Sequence, residues 1–130
     1  MLLVTGAAGF IGFHVAKKRL ELGDEVVGID NLNNYYDVSL KKARLEELKK
    51  FSNFIFHKID ISDRASVPEL FDQYHFDRVV NLAAQAGVRF SVKNPLAYID
   101  SNVLGFTNII EGCRHHNICL LYTSPSPRDS

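Results

Sequence analysis

The chain has 130 residues, 46% of them hydrophobic, with Lys+Arg and Asp+Glu balanced at 15 each. That is one domain's worth of chain with material for a core, which excludes a second full domain and wholesale disorder. Zero net charge argues against binding nucleic acid or an anionic membrane by bulk electrostatics, and no apolar run approaches the roughly 20 residues of a membrane span.

Met1–Val4 is a short apolar run ending at Thr5-Gly6, the pattern of a buried strand. Phe10–Leu22 has helical spacing, with Ile11, Val15 and Leu22 expected near one inward face, and Gly23-Asp24 stops it. Glu25–Asp30 reads as the second strand, and the polar, aromatic Asn31–Asp37 as a loop. Ser39–Lys50 is a charged amphipathic helix with Ser39 as N-cap and a sparse stripe of Leu40, Ala43 and Leu48. Phe54–Ile59 is the third strand. Asp63–Tyr74 is the next helix, with Val67, Leu70 and Phe71 inward and Pro68 in the first turn, where its missing N–H is tolerated. Asp77–Ala84 is the fourth strand. Pro95–His116 is a long helix with Val103, Phe106 and Ile110 expected against the core. Strands alternating with helices imply βαβ units, an α/β fold with a mostly parallel sheet and helices on both faces.

The sharpest chemical signal is Thr5-Gly6-Ala7-Ala8-Gly9-Phe10-Ile11-Gly12, between the first strand and first helix. Gly6 permits the tight turn, Gly9 lets backbone approach a pyrophosphate, and Gly12 lets helix and strand pack closely. The helix N-terminus offers free N–H groups and a positive dipole end to the phosphates. Asp30 ends the second strand, 18 positions after Gly12. A ribose-binding carboxylate is expected about 20 residues on, and it would repel a 2′-phosphate, so NAD is favoured over NADP. A strand-end Asp can also simply cap the next loop.

The spacing G-x-x-G-x-x-G, followed by Phe-Ile at Phe10-Ile11, resembles the extended short-chain dehydrogenase/reductase superfamily of NAD-dependent epimerases and dehydratases. The resemblance implies a Rossmann-type doubly wound parallel sheet, here its N-terminal portion, and contacts to NAD from Gly6, Gly9, Phe10, Ile11, Gly12, Asp30 and Asn31. It also implies an adenine pocket lined by Asp60 and Ile61, although Asp60 could equally cap the segment starting near Ser62. Leu82, Ala83 and Ala84 would bring backbone to the cofactor, with Asn81 standing where the family often has His. Asn102 would support the site if Val103 and Phe106 flank the core.

The strings Asn33-Asn34-Tyr35-Tyr36-Asp37, Asp37-Val38-Ser39-Leu40-Lys41, Gln85-Ala86-Gly87-Val88-Arg89-Phe90-Ser91, Asn94-Pro95 and Glu111-Gly112-Cys113-Arg114-His115-His116 resemble UDP-glucuronate 4-epimerases over about residues 2–118. That resemblance implies oxidation of the sugar at C4 by NAD, a 4-keto intermediate and re-reduction on the other face, with a UDP-sugar partner and a homodimer. Gln85 and Arg89 become candidate substrate contacts, Arg89 meeting a uronate or diphosphate anion or else standing in solvent. Another nucleotide-sugar enzyme, such as a UDP-glucose 4-epimerase or a dehydratase, and a non-catalytic NAD-binding protein both remain open. No metal is expected, since the five histidines share no ligand spacing on one face. Cys113 and Cys119 make no disulfide framework and no signal peptide leads the chain, which point to a cytoplasmic protein.

Residues 1–118 are therefore expected to form an NAD-binding Rossmann domain, truncated. After Ile118 the chain reads Cys-Leu-Leu-Tyr-Thr-Ser-Pro-Ser-Pro-Arg-Asp, which resembles a translated transposase sequencing adapter. Residues 119–130 are accordingly expected to be a non-native tail that imitates the family's fifth strand. Neither Thr123 nor Ser124 is assigned a catalytic role. The superfamily's catalytic Tyr-x-x-x-Lys pair occurs nowhere in the sequence, so no catalytic residue is assigned and the chain alone is expected to be inactive.

Overall fold

The computed structural model describes residues 1–32, 38–83 and 103–123. In chain order the elements are β1 (Leu2–Thr5), α1 (Phe10–Glu21), β2 (Val26–Asp30), α2 (Val38–Leu48), β3 (Phe54–Lys58), α3 (Ser66–Gln73), β4 (Arg78–Asn81), α4 (Gly105–His116) and β5 (Cys119–Thr123). The strands form one parallel sheet in the order β3-β2-β1-β4-β5. This is the Rossmann-type α/β arrangement. Strand order reverses between β1 and β4, which opens a crevice at their carboxyl ends.

Side-chain alternation along the strands divides the core into two layers. Leu2, Val4, Val26, Phe54 and Val80 lie with Phe13, Ala16 and Leu20 of α1 and with Leu45 and Leu48 of α2. Leu3, Val27, Ile29 and Val79 lie on the other face with Val67, Leu70 and Phe71 of α3 and with Ile109 and Cys113 of α4. The strands are apolar on both faces because helices cover both, as in parallel sheets generally.

Among the described residues the expected element order holds, residues 95–102 of the long helix expected from Pro95 lying outside them, and Val67, Leu70 and Phe71 are inward with Pro68 in the first turn of α3. Three helix faces differ from expectation. On α1 the inward residues are Gly12, Phe13, Ala16 and Leu20, while Ile11 is exposed and Leu22, at the C-cap, is 60% exposed. On α2 they are Leu45 and Leu48, with Leu40 and Ala43 exposed, and Ser39 falls inside the helix rather than at its cap. On α4 they are Gly105, Ile109, Gly112 and Cys113, and Val103, Phe106 and Ile110 face outward. On α1 and α4 the cause is close approach. A Cβ on Gly112 would stand 2.6 Å from the Phe71 ring, so α4 docks on α3 through its small residues and turns its bulky stripe away.

β5 pairs with β4 in parallel, with a register shift between Val79 and Val80. The tail string thus occupies the fifth-strand position.

The helix expected from Asp63 begins at Ser66, because Asp63 serves as its leading cap. Its Oδ1 accepts the N–H groups of Ala65 (2.9 Å) and Ser66 (3.2 Å), and its Oδ2 accepts the Ser66 hydroxyl (2.8 Å). The Ser66 hydroxyl, and then the two N–H groups, hold the carboxyl below the usual aspartate range. A folded pKa below the unfolded one stabilises above the unfolded value and is lost as pH falls through the folded value. Asp63→Ala is therefore expected to lower the melting temperature at pH 7. The gap should close as pH is lowered from neutral to well below the usual aspartate range, followed by circular dichroism. An equal gap at both pH values would contradict this role.

Candidate functional site

The site begins where β1 enters the glycine turn. Gly6 has φ of +70°, and a Cβ there would stand 2.9 Å from the Leu82 carbonyl, so only glycine fits. The Gly9 N–H bonds the Gly6 carbonyl at 3.0 Å and closes the turn. Gly9 then caps α1 in extended conformation, with no side-chain capping hydrogen bond and no acidic residue in the first turn. Helix-start N–H groups left without intrahelical partners, with an uncompensated positive dipole end, suit a phosphate group. A Cβ at Gly12 would come 2.0 Å from the Gly6 carbonyl oxygen, so α1 sits where no side chain could separate it from β1. Phe10 and Ile11 are exposed at the mouth of this cradle.

Asp30, only 5% exposed, anchors the neighbouring wall. Its Oδ2 accepts the Ala8 N–H at 3.1 Å, which ties the glycine turn to the end of β2. Its Oδ1 accepts the Leu32 N–H at 2.8 Å and the Lys41 ammonium at 3.3 Å. Leu32 holds φ of 52°, a left-handed conformation uncommon for a leucine, at the point where its N–H reaches Asp30. The carboxylate therefore both caps the loop after β2 and faces the turn, and the two sequence readings of Asp30 describe one arrangement.

Asp60 likewise does two things. Its Oδ1 accepts the Ser62 N–H (2.9 Å) and hydroxyl (2.7 Å), and its Oδ2 accepts the Asn31 amide at 3.3 Å. The ends of β2 and β3 are thereby joined beside Asp30. The Ile61 side chain is buried in the core, where a Cβ on Gly105 would lie 2.5 Å from it, and its carbonyl accepts the Asn108 amide at 2.8 Å. Ile61 thus presents backbone rather than side chain toward the strand ends.

Sequence reasoning missed Thr5, Lys41 and Arg44. Thr5 is fully buried, and its hydroxyl donates to the Asn81 side-chain oxygen while accepting the N–H groups of Leu82 (2.9 Å) and Ala83 (3.0 Å). That one hydroxyl fixes the ends of β1 and β4 on either side of the crevice. A threonine closing a buried strand was the available signal. Arg44 donates to the Ala8 carbonyl at 3.1 Å and lies 5.8 Å from the Phe10 ring centroid. Lys41 and Arg44 are three apart on α2, the spacing of one helix face.

Gly6, Gly9, Phe10, Ile11, Gly12, Asp30, Asn31, Asp60, Ile61, Leu82 and Ala83 thus gather along the carboxyl edge of β1, β2, β3 and β4. Ala84, Gln85, Arg89 and Asn102 lie outside the described residues, as does the Asn33–Asp37 string. The premise for Asn102 does not hold, since Val103 and Phe106 are exposed. Among the described residues no three His, Cys, Asp or Glu side chains converge as a metal site. No helix there is long and apolar enough to cross a membrane.

The sequence and fold have named relatives. The chain is 61% identical over 125 residues to an uncharacterized 37.6 kDa protein of Escherichia coli O111:H-, covering 95% of this chain and 37% of that protein. It is 50% identical over 109 residues to the UDP-glucuronate 4-epimerase of Thermodesulfobacterium geofontis, covering 84% of this chain and 34% of the relative. The fold matches the Bacillus cereus UDP-glucuronic acid 4-epimerase, solved with UDP-glucuronic acid and NAD, with a TM-score of 0.79 and 35% identity, over 93% of this chain and 38% of that one. The chain therefore spans little more than a third of the length of these relatives. The family described as GDP-mannose 4,6 dehydratase matches residues 3–126, and with the glycine turn, the Asp30 wall and the reversed strand order in place, the chain belongs to that family of NAD-dependent epimerases and dehydratases.

Proposed function

We propose that this chain is the NAD-binding part of a nucleotide-sugar epimerase acting on UDP-glucuronate at C4. The single observation that carries the reading is the cradle made by Gly6, Gly9 and Gly12 beside the buried Asp30 carboxylate. The residues present fit NAD, because side chains are excluded where a pyrophosphate would lie and a carboxylate stands where ribose hydroxyls would need acceptors. NAD, when bound, supplies reversible oxidation of the sugar carbon. The helix-start N–H groups after Gly9 would hold the phosphates, and Asp30 with Asn31 the ribose. Asp60 and the Ile61 backbone would border the adenine. Leu82, Ala83 and Ala84 would flank the nicotinamide end. Thr5 holds the Leu82–Ala83 backbone in place.

The uronate preference rests on the resemblance of the 33–37 and 85–91 strings and on relatives bearing that name. Gln85 and Arg89 are the proposed substrate contacts. A UDP-glucose 4-epimerase is the second reading, favoured by the fold match to the Thermus thermophilus enzyme solved with NAD, at a TM-score of 0.75 and 32% identity. The 130 residues hold no Tyr-x-x-x-Lys pair, so turnover by them alone is not expected. A homodimer is part of the proposal, supported by the outward stripe of Val103, Phe106 and Ile110, and so is a cytoplasmic location, supported by the free Cys113.

Residues 119–130 we take to be non-native, leaving 1–118 as the evolved domain. The adapter-like string supports this, and the register shift in the described sheet falls at that strand. Reading the source gene past codon 118 from adapter-trimmed DNA tests it. A continuation toward a Tyr-x-x-x-Lys pair is expected, and genomic codons for Cys119 to Ser130 would contradict it.

Calorimetry with NAD tests the cofactor site. The chain is expected to bind, and Asp30→Ala to weaken binding at least about tenfold through loss of charge-assisted hydrogen bonds. Binding unchanged by Asp30→Ala would contradict the proposal.

A further inference from the structure

The turn after β3 is held from outside by α4. The Ile61 side chain is buried against Gly105, where a Cβ would stand 2.5 Å from its Cγ1 and Cδ1. The Ile61 carbonyl accepts the Asn108 side-chain amide at 2.8 Å, a bond across 47 residues of chain. Asparagine is a poor helix former, because its amide competes with the backbone for hydrogen bonds. Here it sits within α4, partly buried, on the face that carries Gly105, Ile109 and Gly112. Helix propensity does not account for that choice. A donor aimed at one carbonyl beside the core does.

The rest of the turn is tied down from within. Asp60 Oδ1 accepts the N–H and hydroxyl of Ser62, and the Asp60 carbonyl accepts the Asp63 N–H at 2.9 Å. Two groups of the turn keep bonding capacity: among the described residues nothing accepts the Ile61 N–H, and Asp60 Oδ2 meets only the Asn31 amide. A donor next to an acceptor is the complement of adenine, whose ring nitrogen accepts beside an exocyclic amine that donates. Hypoxanthine reverses both, with a ring N–H beside a carbonyl. Such a pair reads a base only while its members keep their alignment, since hydrogen bonds weaken steeply off axis. The turn sets Asp60 by its own bonds, whereas Ile61 is set by α4.

We propose that Asn108 is a positioning residue for recognition of the adenine base: through the Ile61 carbonyl it keeps the Ile61 N–H in register with Asp60, and that register discriminates adenine from a base of reversed hydrogen bonding. Asn108 itself touches no cofactor atom. Without its amide the Ile61 peptide is free to rotate, and the N–H on its other side loses alignment with the ring nitrogen. The inference rests on the proposed NAD site, in which Asp60 and the Ile61 backbone border the adenine.

The test is calorimetry with NAD and with nicotinamide hypoxanthine dinucleotide, on the chain and on Asn108→Leu, Asn108→Gln and Gly105→Ala, with circular dichroism confirming folding. The unmodified chain is expected to prefer NAD at least about tenfold. Asn108→Leu keeps the bulk and suits a helix better but has no donor. It is expected to weaken NAD about tenfold and the hypoxanthine dinucleotide much less, so that the preference falls toward parity. Asn108→Gln, which keeps an amide, is expected to retain most of the preference. Gly105→Ala displaces Ile61 while leaving the Asn108 donor in place. It is expected to erode the preference too, and it carries the test if Asn108→Leu does not fold. An asparagine that only docks α4 would lower the melting temperature when replaced and leave the preference unmoved, which would overturn the inference. So would an unmodified chain that binds both dinucleotides equally. If that chain binds neither, the underlying NAD site is overturned as well, an outcome distinct from equal binding.

Discussion

A methyl group at position 12 would lie 2.0 Å from the carbonyl oxygen of Gly6. The rest of the site depends on that forbidden volume staying empty. With it empty, α1 starts hard against the end of β1, and Ala7 and Ala8 pass beneath it fully buried. The N–H groups of the first helical turn then open at the sheet's carboxyl edge, uncapped by any side chain. The same turn places the Ala8 N–H on Asp30 and the Ala8 carbonyl on Arg44. A single steric constraint thus couples β1, α1, β2 and α2 at one point.

Two buried polar knots hold the crevice open from either side. Thr5 joins β1 to β4 through Asn81, Leu82 and Ala83. Asp30 joins β2 to the glycine turn and to α2. Buried polar groups are costly unless paired, and paired ones fix geometry where apolar packing would allow sliding. Both knots sit at the strand ends where the order reverses, so the strand ends and the cofactor edge are the same structure. Whatever binds there meets walls already set by the protein's own hydrogen bonds.

The strands, the helix order and the glycine turn were legible because they rest on strong local rules: short apolar runs bounded by turn residues, glycine at positive φ and a carboxylate at a strand end. Helix faces were less legible. Ile11, Val103 and Phe106 look like core residues by size and spacing, yet α1 and α4 make their closest approaches at Gly12, Gly105 and Gly112. Close helix packing rewards small residues, which an apolarity pattern undervalues. Lys41, Arg44 and Thr5 escaped for another reason. Their partners are 11, 36 and 76 residues away in sequence, and no spacing rule connects a helix-face cation or a strand threonine to them.

Backbone amide shifts of the chain, recorded by NMR as NAD is titrated in, test the central claim most directly. The account predicts saturable shifts at Gly6, Gly9 to Gly12, Asp30 and Asn31, and at Leu82 and Ala83. Residues at the amino ends of the strands, such as Leu2 and Val26, should stay unmoved. Saturable shifts centred elsewhere, or none at all in the folded chain, would contradict it.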